Sequence, residues 1–155
     1  MLVQNSSSST VESRTQQITG VLLAAGSGRR FGSAKLMHPL ADGEPLGIAS
    51  ARVLISVVPQ VVAIVRPGDS ELAQAFCELG YRVIENHRYH AGMGESLGLA
   101  VRASVHAGGW LVALADMPWI SAVTIELLVE RMGQGASMIA PTYAGRRGHP
   151  VGFAA

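Results

Sequence analysis

The segment 21–35, which reads VLLAAGSGRRFGSAK, combines glycines and cations in a pattern suited to binding a charged ligand. Small residues and cations follow directly after a short apolar run. The glycines are Gly26, Gly28 and Gly32, and the cations are Arg29, Arg30 and Lys35. Glycine lets backbone N–H groups come close to a ligand that a side chain would hold off, and clustered cations neutralise a bound anion. The segment therefore predicts a site for polyphosphate.

Two common phosphate-binding loops do not fit this segment. A P-loop has Gly-Lys followed by Ser or Thr, whereas Gly32 is followed by Ser33 and Ala34 before Lys35. A Rossmann dinucleotide loop has the spacing G-x-G-x-x-G, whereas the glycines here are spaced G-x-G-x-x-x-G. The segment belongs to another class of phosphate site.

Asp116 is the carboxylate best placed to hold a metal ion. It comes directly after an apolar run, residues 110–115, and Pro118 keeps the following chain out of a helix. A carboxylate in that place can reach a metal held over the edge of a sheet. The competing interpretation is a helix N-cap, but Ser121 suits that role better. We therefore assign Asp116 to a metal site.

Strand and helix patterns alternate along the chain, and these elements must position the candidate residues. Apolar runs predict strands at 18–25, 60–65, 81–85, 110–115 and 137–140. Amphipathic stretches predict helices at 46–58 and 70–79, a helix that ends near 107, and a helix at 122–132, with a polar loop at 141–149. This order predicts an α/β fold, a three-layer α/β/α, Rossmann-like arrangement with a mostly parallel sheet.

The predicted sheet gathers the candidate residues at one edge. In open α/β sheets the ligand crevice lies outside the carboxyl ends of the strands. The segments that directly follow predicted strands are 26–35, Arg66, 86–96 and Asp116. We expect them to meet there.

The composition limits the classes of function. The chain has 155 residues, 48% of them hydrophobic and 15% charged, with a net charge of +1, which indicates one folded domain. So small a basic excess argues against a nucleic-acid partner, and no apolar run approaches the ~20 residues of a membrane span. The single cysteine, Cys77, is expected to be a small core residue on a helix in a cytoplasmic protein. The polar, Ser-rich composition of residues 1–17 predicts a disordered leader before a domain at 18–155.

The glycine segment follows the pattern L-A-A-G-x-G-x-R-x-G-x-x-K. Its fixed positions are Leu23, Ala24, Ala25, Gly26, Gly28, Arg30, Gly32 and Lys35. This pattern resembles the signature loop of the MobA-like nucleotidyltransferases, especially the molybdenum cofactor cytidylyltransferase (MocA-like) branch. Two further segments are similar to that family: Asp116-Met117-Pro118, and the pattern N-x-x-x-x-x-G-M-x-x-S-L that begins at Asn86.

The resemblance implies roles for these residues in nucleotidyl transfer. Arg30 and Lys35 would hold the β- and γ-phosphates and the departing pyrophosphate, while Asp116 would hold Mg²⁺ against the triphosphate. These three form the expected catalytic set. The expected nucleotide-binding residues are Leu23, Ala24, Ala25, Gly26, Gly28, Arg30, Lys35, Arg66, Asn86 and Ser96. Such a reaction depends on positioning and charge neutralisation, so it needs no covalent nucleophile from the protein.

A second segment concerns the acceptor. Gly148, His149 and Pro150 look like the end of the family's G-x-x-G-H-P segment, which lies on the acceptor side, although a solvated surface turn would have the same composition. The resemblance implies a molybdopterin-type acceptor and a molybdoenzyme as a downstream partner. Ala25 stands where the guanylyl branch tends to carry glycine, so the expected nucleotide is CTP.

Family chains continue past this segment to a G-D-x-G motif that supplies a second Mg²⁺ ligand, whereas this sequence ends at Ala155. The resemblance therefore implies a domain that lacks its C-terminal part, with an unpaired sheet edge. Alternatives to an active cytidylyltransferase are a catalytically impaired nucleotide-binding remnant or accessory module for a molybdoenzyme. A GTP-using or sugar-phosphate nucleotidyltransferase is a further alternative.

Overall fold

The structure, a computed structural model, describes residues 18–26 and 35–155. The strands are β1 Ile18–Leu23, β2 Val61–Val65, β3 Arg82–Glu85, β4 Gly109–Leu114, β5 Met138–Ile139, β6 Thr142–Tyr143, β7 Arg146–Arg147 and β8 Val151–Ala154. The helices are α1 Leu46–Val57, α2 Ser70–Glu78, α3 Met93–Ala103 and α4 Ala122–Gly133, with a short 3-10 helix at Tyr89–Ala91. The predicted leader, 1–17, and part of the glycine segment, with Gly28, Arg30 and Gly32, lie outside the described residues.

The main sheet has six strands in the order β3-β2-β1-β4-β8-β5. The first four strands are parallel, whereas β8 runs antiparallel to both β4 and β5. The predicted α/β fold with a mostly parallel sheet is therefore confirmed. The chain moves outward from β1 through β2 to β3 and then returns to place β4 on the other side of β1. This change of direction creates a switch point between β1 and β4, where ligands bind in sheets of this kind.

Helices cover both faces of the sheet because β1 carries apolar side chains toward both. Ile18 and Leu22 belong to one buried cluster, which α1, α2 and α4 complete. Val21 and Leu23 point to the opposite face and pack in a second cluster that includes Ala100 of α3. Every residue of β1 and β2 is buried. The result is the predicted three-layer α/β/α arrangement.

Two predicted elements differ from the structure. The helix expected to end near 107 ends at Ala103, because Ser104 leaves helical geometry and bonds both the Ala100 carbonyl and the Trp110 indole. The stretch 141–149, predicted as a loop, contains the β6–β7 hairpin, whose turn has positive φ at Ala144 and Gly145. Short pairings of this kind leave little trace in hydrophobic periodicity.

Cys77 is exposed, so the prediction of a core position is wrong. It does lie on α2, but that helix buries Leu72 and Phe76, and the residue after Phe76 turns toward solvent. Tyr81, expected within β3, precedes the strand and donates from its hydroxyl to the buried Ala51 carbonyl at 2.7 Å. Among the residues described, no helix has the length and hydropathy needed to cross a membrane.

Gly109 lies where the backbones of β4 and β8 approach each other closely. A methyl group added there would lie 2.7 Å from the backbone carbonyl oxygen of Phe153. We expect Gly109→Ala to lower the free energy of unfolding by about 1–3 kcal/mol, because the strands must separate to admit it. Gly94→Ala in α3 is the matched control, since its methyl would meet nothing within 4 Å, and it should be neutral or stabilising by up to about 1 kcal/mol. Urea denaturation of both variants measures the difference, and equal midpoints would contradict the account.

Candidate active site

The site begins where β1 and β4 end side by side. Their register pairs Leu23 with Leu114, the last residue of each strand. The ladder continues one step further, since the Ala115 N–H donates to the Leu23 carbonyl at 3.1 Å. The segment Ala24–Gly26 after β1 and Asp116 after Ala115 therefore leave the sheet from neighbouring strands. This is the edge at which the sequence predicts that they meet.

An open cavity of about 440 Å³ lies at this edge, a size that suits a small organic ligand. Seven of the residues predicted to form the site line it, and they are Leu23, Ala24, Ala25, Gly26, Lys35, Ser96 and Asp116. The remaining lining residues are Leu36, Tyr89, Gly92, Met93 and Leu114. Gly92 and Met93 are the G-M of the pattern that begins at Asn86, whereas the sequence did not single out the other three. The cavity therefore combines an apolar wall with a polar mouth.

Lys35 and Asp116 are the charged groups of this lining within the described residues. Lys35 Nζ lies 3.3 Å from Asp116 Oδ2, and both side chains are about half exposed. A half-exposed pair of this kind is weak, so each group can exchange its partner for a better one. A metal ion would attract the carboxylate, and an anion would attract the ammonium group.

The first turns of α1 hold Lys35 in place. Leu36 is buried, and its carbonyl accepts a hydrogen bond from the Gly47 N–H at 2.8 Å. A methyl group at Gly47 would lie 3.1 Å from both Cβ and the carbonyl oxygen of Leu36, so glycine permits this close approach. The residue next to Lys35 is thus fixed against the helix, and the lysine side chain projects from that fixed point into the cavity.

Asn86 and Ser96 form a buried pair behind the cavity. Asn86 Nδ2 donates to Ser96 Oγ at 2.9 Å, and Asn86 Oδ1 accepts from the Arg88 N–H at 2.8 Å. Ser96 lines the cavity, whereas Asn86 is 1% exposed and does not. The Asn86 side chain is hydrogen-bonded within the protein, where it fixes the Ser96 hydroxyl, and its direct contact with a nucleotide stays a prediction.

Arg66 also supports the cavity from outside the lining. Its guanidinium group donates to the Gly26 carbonyl and lies over the Tyr89 ring, 5.1 Å from the centroid. Arg66 therefore joins the segment after β1 to the segment after β3 without lining the cavity itself, and its role in nucleotide binding stays a prediction. Its Nε is buried without a hydrogen-bond partner among the residues described. Tyr89 could have been noticed only as an aromatic residue within the segment that begins at Asn86.

The predicted acceptor segment lies at the same edge but outside the cavity. The antiparallel pairing of Val151 with Val112 places the residues before β8 beside the carboxyl end of β4. Gly148 donates from its N–H to the Pro141 carbonyl at 2.9 Å, and Pro150 is buried. His149 Nδ1 is buried and has no hydrogen-bond partner in the described part of the chain. Pro150 is thus packed, whereas residues 145–147 before this segment are exposed to solvent.

The cavity fits a divalent metal that arrives together with phosphates. Asp116 is the one carboxylate of its described lining, and the described residues hold no group of three or more His, Cys, Asp or Glu side chains that could bind a metal. Mg²⁺ commonly takes one or two carboxylates, completing its octahedron with substrate phosphates and water. Such an ion matches Asp116, and a cage made only of protein ligands does not.

Two known proteins are similar in sequence to most of this chain. The chain is 36% identical over 147 residues to nicotine blue oxidoreductase of Paenarthrobacter nicotinovorans, covering 86% of this chain and 69% of the relative. It is 32% identical over 127 residues to molybdenum cofactor guanylyltransferase of Rhodobacter capsulatus, covering 82% of this chain and 63% of that relative.

Solved structures share the fold. Rv0371c from Mycobacterium tuberculosis matches with a TM-score of 0.73 and 27% identity, over 89% of this chain and 71% of that chain. A complex of Rv0371c with manganese matches with a TM-score of 0.68 and 27% identity, over 89% of this chain and 70% of that one. A divalent metal is therefore known in a structure similar to this one.

The fold and the cavity at the switch point define an α/β domain of the nucleotidyltransferase type. Residues 20–155 match the model of the MobA-like NTP transferase domain. The chain belongs to that family.

The Lys35–Asp116 ion pair predicts opposite effects on two ligands. Lys35→Met removes the cation that competes for Asp116, so the affinity for Mn²⁺ alone should rise about 1.5- to 5-fold, as the loss of an exposed pair implies. The same change removes the ammonium group that is predicted to bind phosphate, so the Kd for Mg·CTP should rise about tenfold or more. Arg52→Met is the control, because it breaks the Arg52–Glu44 pair, which does not line the cavity. Calorimetric titration measures both affinities, and two unchanged values would refute the role of the pair.

Proposed function

We propose that this protein transfers CMP from CTP to the terminal phosphate of a molybdopterin-type acceptor, with release of pyrophosphate and with Mg²⁺. The observation that carries the proposal is the meeting of Lys35 and Asp116 at the switch-point cavity. A cation and a metal-binding carboxylate at one point are what a nucleoside triphosphate and its metal require. The exposed Cys77 is compatible with a reducing compartment, so we place the reaction in the cytoplasm.

Different residues of the cavity would bind different parts of the triphosphate. Lys35, together with Arg30 outside the described residues, would bind the β- and γ-phosphates and retain the charge of the departing pyrophosphate. Asp116 would hold Mg²⁺, which supplies charge neutralisation at the phosphates. Gly26 is exposed with open space beside it, so phosphate oxygens can approach its backbone. Gly28, outside the described residues, would contribute a second backbone N–H.

The chemistry then needs orientation from the protein. An oxygen of the acceptor's phosphate attacks the α-phosphorus in line, the bond between the α-phosphorus and its bridging oxygen breaks, and pyrophosphate leaves. Ser96, fixed by Asn86 near the start of α3, is suited to bind the ribose or base. Leu23, Ala24 and Ala25 form the apolar wall beside it.

The acceptor would approach from the segment before β8. Gly148, His149 and Pro150 lie at the carboxyl end of β4, on the same side of the sheet edge as Asp116. His149 is partly buried in this segment, and its Nδ1 has no hydrogen-bond partner among the described residues. We propose that these residues contact the acceptor and that a molybdoenzyme receives the product.

The identity to nicotine blue oxidoreductase favours a second candidate function, a redox reaction. That function would require a nicotinamide or flavin cofactor in the cavity, and it would release no pyrophosphate. The guanylyltransferase relative favours GTP as the alternative nucleotide. Parallel assays of pyrophosphate release with CTP or GTP, and of NADH or NADPH oxidation, separate these functions. Binding of CTP with neither reaction would indicate an accessory nucleotide-binding module.

Asp116→Asn tests the proposed reaction. The substitution keeps the size of the side chain but removes the negative charge that would hold the metal. We expect pyrophosphate release in the presence of CTP, Mg²⁺ and a molybdopterin-type acceptor to fall at least about 100-fold, the scale seen when a charge-stabilising group is removed from an active site. Asp42→Asn, in a turn that does not line the cavity, should retain full activity. Comparable rates in the two variants would reject Asp116 as the metal ligand.

Ala25→Gly tests the choice of base. Ala25 is buried, lines the cavity and packs in the cluster on the α3 face. Removing its methyl group should lower the ratio of the Kd for GTP to the Kd for CTP about tenfold, because the cavity then has room for a larger base. Ala24→Gly is the control, since Ala24 lines the same cavity but packs on the opposite face. If both variants kept the parent's ratio, Ala25 would not determine the base.

A further inference from the structure

Ser50 is a buried hydroxyl on the apolar side of α1. It is 6% exposed, and Gly47, Ala51 and Leu54 of the same helix are also buried. A hydroxyl in such surroundings is unfavourable unless it is hydrogen-bonded. Ser50 Oγ lies 2.8 Å from the Ala115 carbonyl oxygen and 3.1 Å from that of Leu46. Its single proton has its shorter contact with Ala115, 65 residues away in sequence.

Ala115 is the residue that leads from β4 into Asp116. Its N–H donates to the Leu23 carbonyl, which extends the β1–β4 ladder by one step. Its carbonyl lies beyond the end of β4 and accepts the hydrogen bond of Ser50. Because the peptide unit is planar, fixing this carbonyl also fixes the backbone nitrogen of Asp116. The carboxylate therefore starts from a position that Ser50 helps to set.

The same turn of α1 fixes the lysine side of the cavity. Gly47 and Ser50 are three residues apart and therefore lie on one face of the helix. Gly47 binds the Leu36 carbonyl next to Lys35, and Ser50 binds the Ala115 carbonyl next to Asp116. The two charged groups that meet in the cavity are thus held by one helical turn, each through the residue beside it.

We propose that Ser50 is a positioning residue for Asp116, setting the direction of the carboxylate that receives the metal. This inference rests on the proposed function, in which Asp116 is the metal ligand. Loss of the hydroxyl frees the Ala115 carbonyl, and Asp116 then samples directions that do not face the incoming phosphates. Metal binding weakens, while the rest of the nucleotide site keeps its form.

The test compares Ser50→Ala with Ser56→Ala in the full chain. Ser56 lies on the same helix and donates to the Val53 carbonyl at 2.7 Å, but it is exposed and does not line the cavity. For each protein we would measure the Kd for Mn²⁺ with CTP present by electron paramagnetic resonance, the Kd for CTP without metal, and the melting temperature. Ser50→Ala should weaken Mn²⁺ binding about 10- to 100-fold, the usual effect of removing a group that orients a metal ligand.

The outcomes separate positioning from simple stability. Weaker Mn²⁺ binding by Ser50→Ala, with an unchanged affinity for CTP in the absence of metal, supports the inference. Partial recovery of the Mn²⁺ affinity in Ser50→Cys, whose side chain has a similar size and a weak hydrogen-bond donor, also supports it. Unchanged Mn²⁺ binding overturns it, and so does a parallel loss of both affinities. Should Ser50→Ala not fold, Ser50→Cys decides on the same readouts. If Asp116→Asn binds Mn²⁺ as well as the parent, the proposed function fails instead.

Discussion

The parallel pairing of β1 with β4 is the constraint on which the site depends. The ladder pairs Ile18 with Gly109 at one end and Leu23 with Leu114 at the other, so β1 and β4 end side by side at the same edge of the sheet. Side chains on both faces of β1 are buried. A shift of the β1 register by one residue would turn each side chain to the opposite face of the sheet, where it would pack against different helices. The packing that stabilises the sheet therefore also sets where the glycine segment and Asp116 meet.

Local charge, and not the charge of the whole molecule, makes this edge suited to a nucleotide. The net charge is only +1, so attraction of a polyphosphate depends on groups gathered at one point. Without ligand, Lys35 and Asp116 neutralise each other across the mouth of the cavity. A triphosphate with its metal offers each of them a stronger partner at once. The resting contact keeps the groups in place without binding either one tightly.

Sequence patterns predicted the parts of this structure that follow from local chemistry. Buried apolar runs, glycine and proline positions and the residues after each strand sufficed for the order of β1 to β5 and the four helices, and for the place of Lys35 and Asp116. The strands β6, β7 and β8 were not predicted. The roles of Arg66 and Asn86 could not be predicted, because their partners, Gly26 and Ser96, are set by tertiary packing. Ser50 was missed for the same reason: a serine within a helix gives no sign that a distant carbonyl accepts from it.

The most direct test of the central claim is a crystal structure with CTP and Mn²⁺, in which anomalous scattering locates the metal. We expect one manganese peak between Asp116 and the phosphates, with Lys35 released from the carboxylate and turned toward the β- and γ-phosphates. A bound nucleotide with the Lys35–Asp116 contact intact, or a manganese peak away from Asp116, would contradict it.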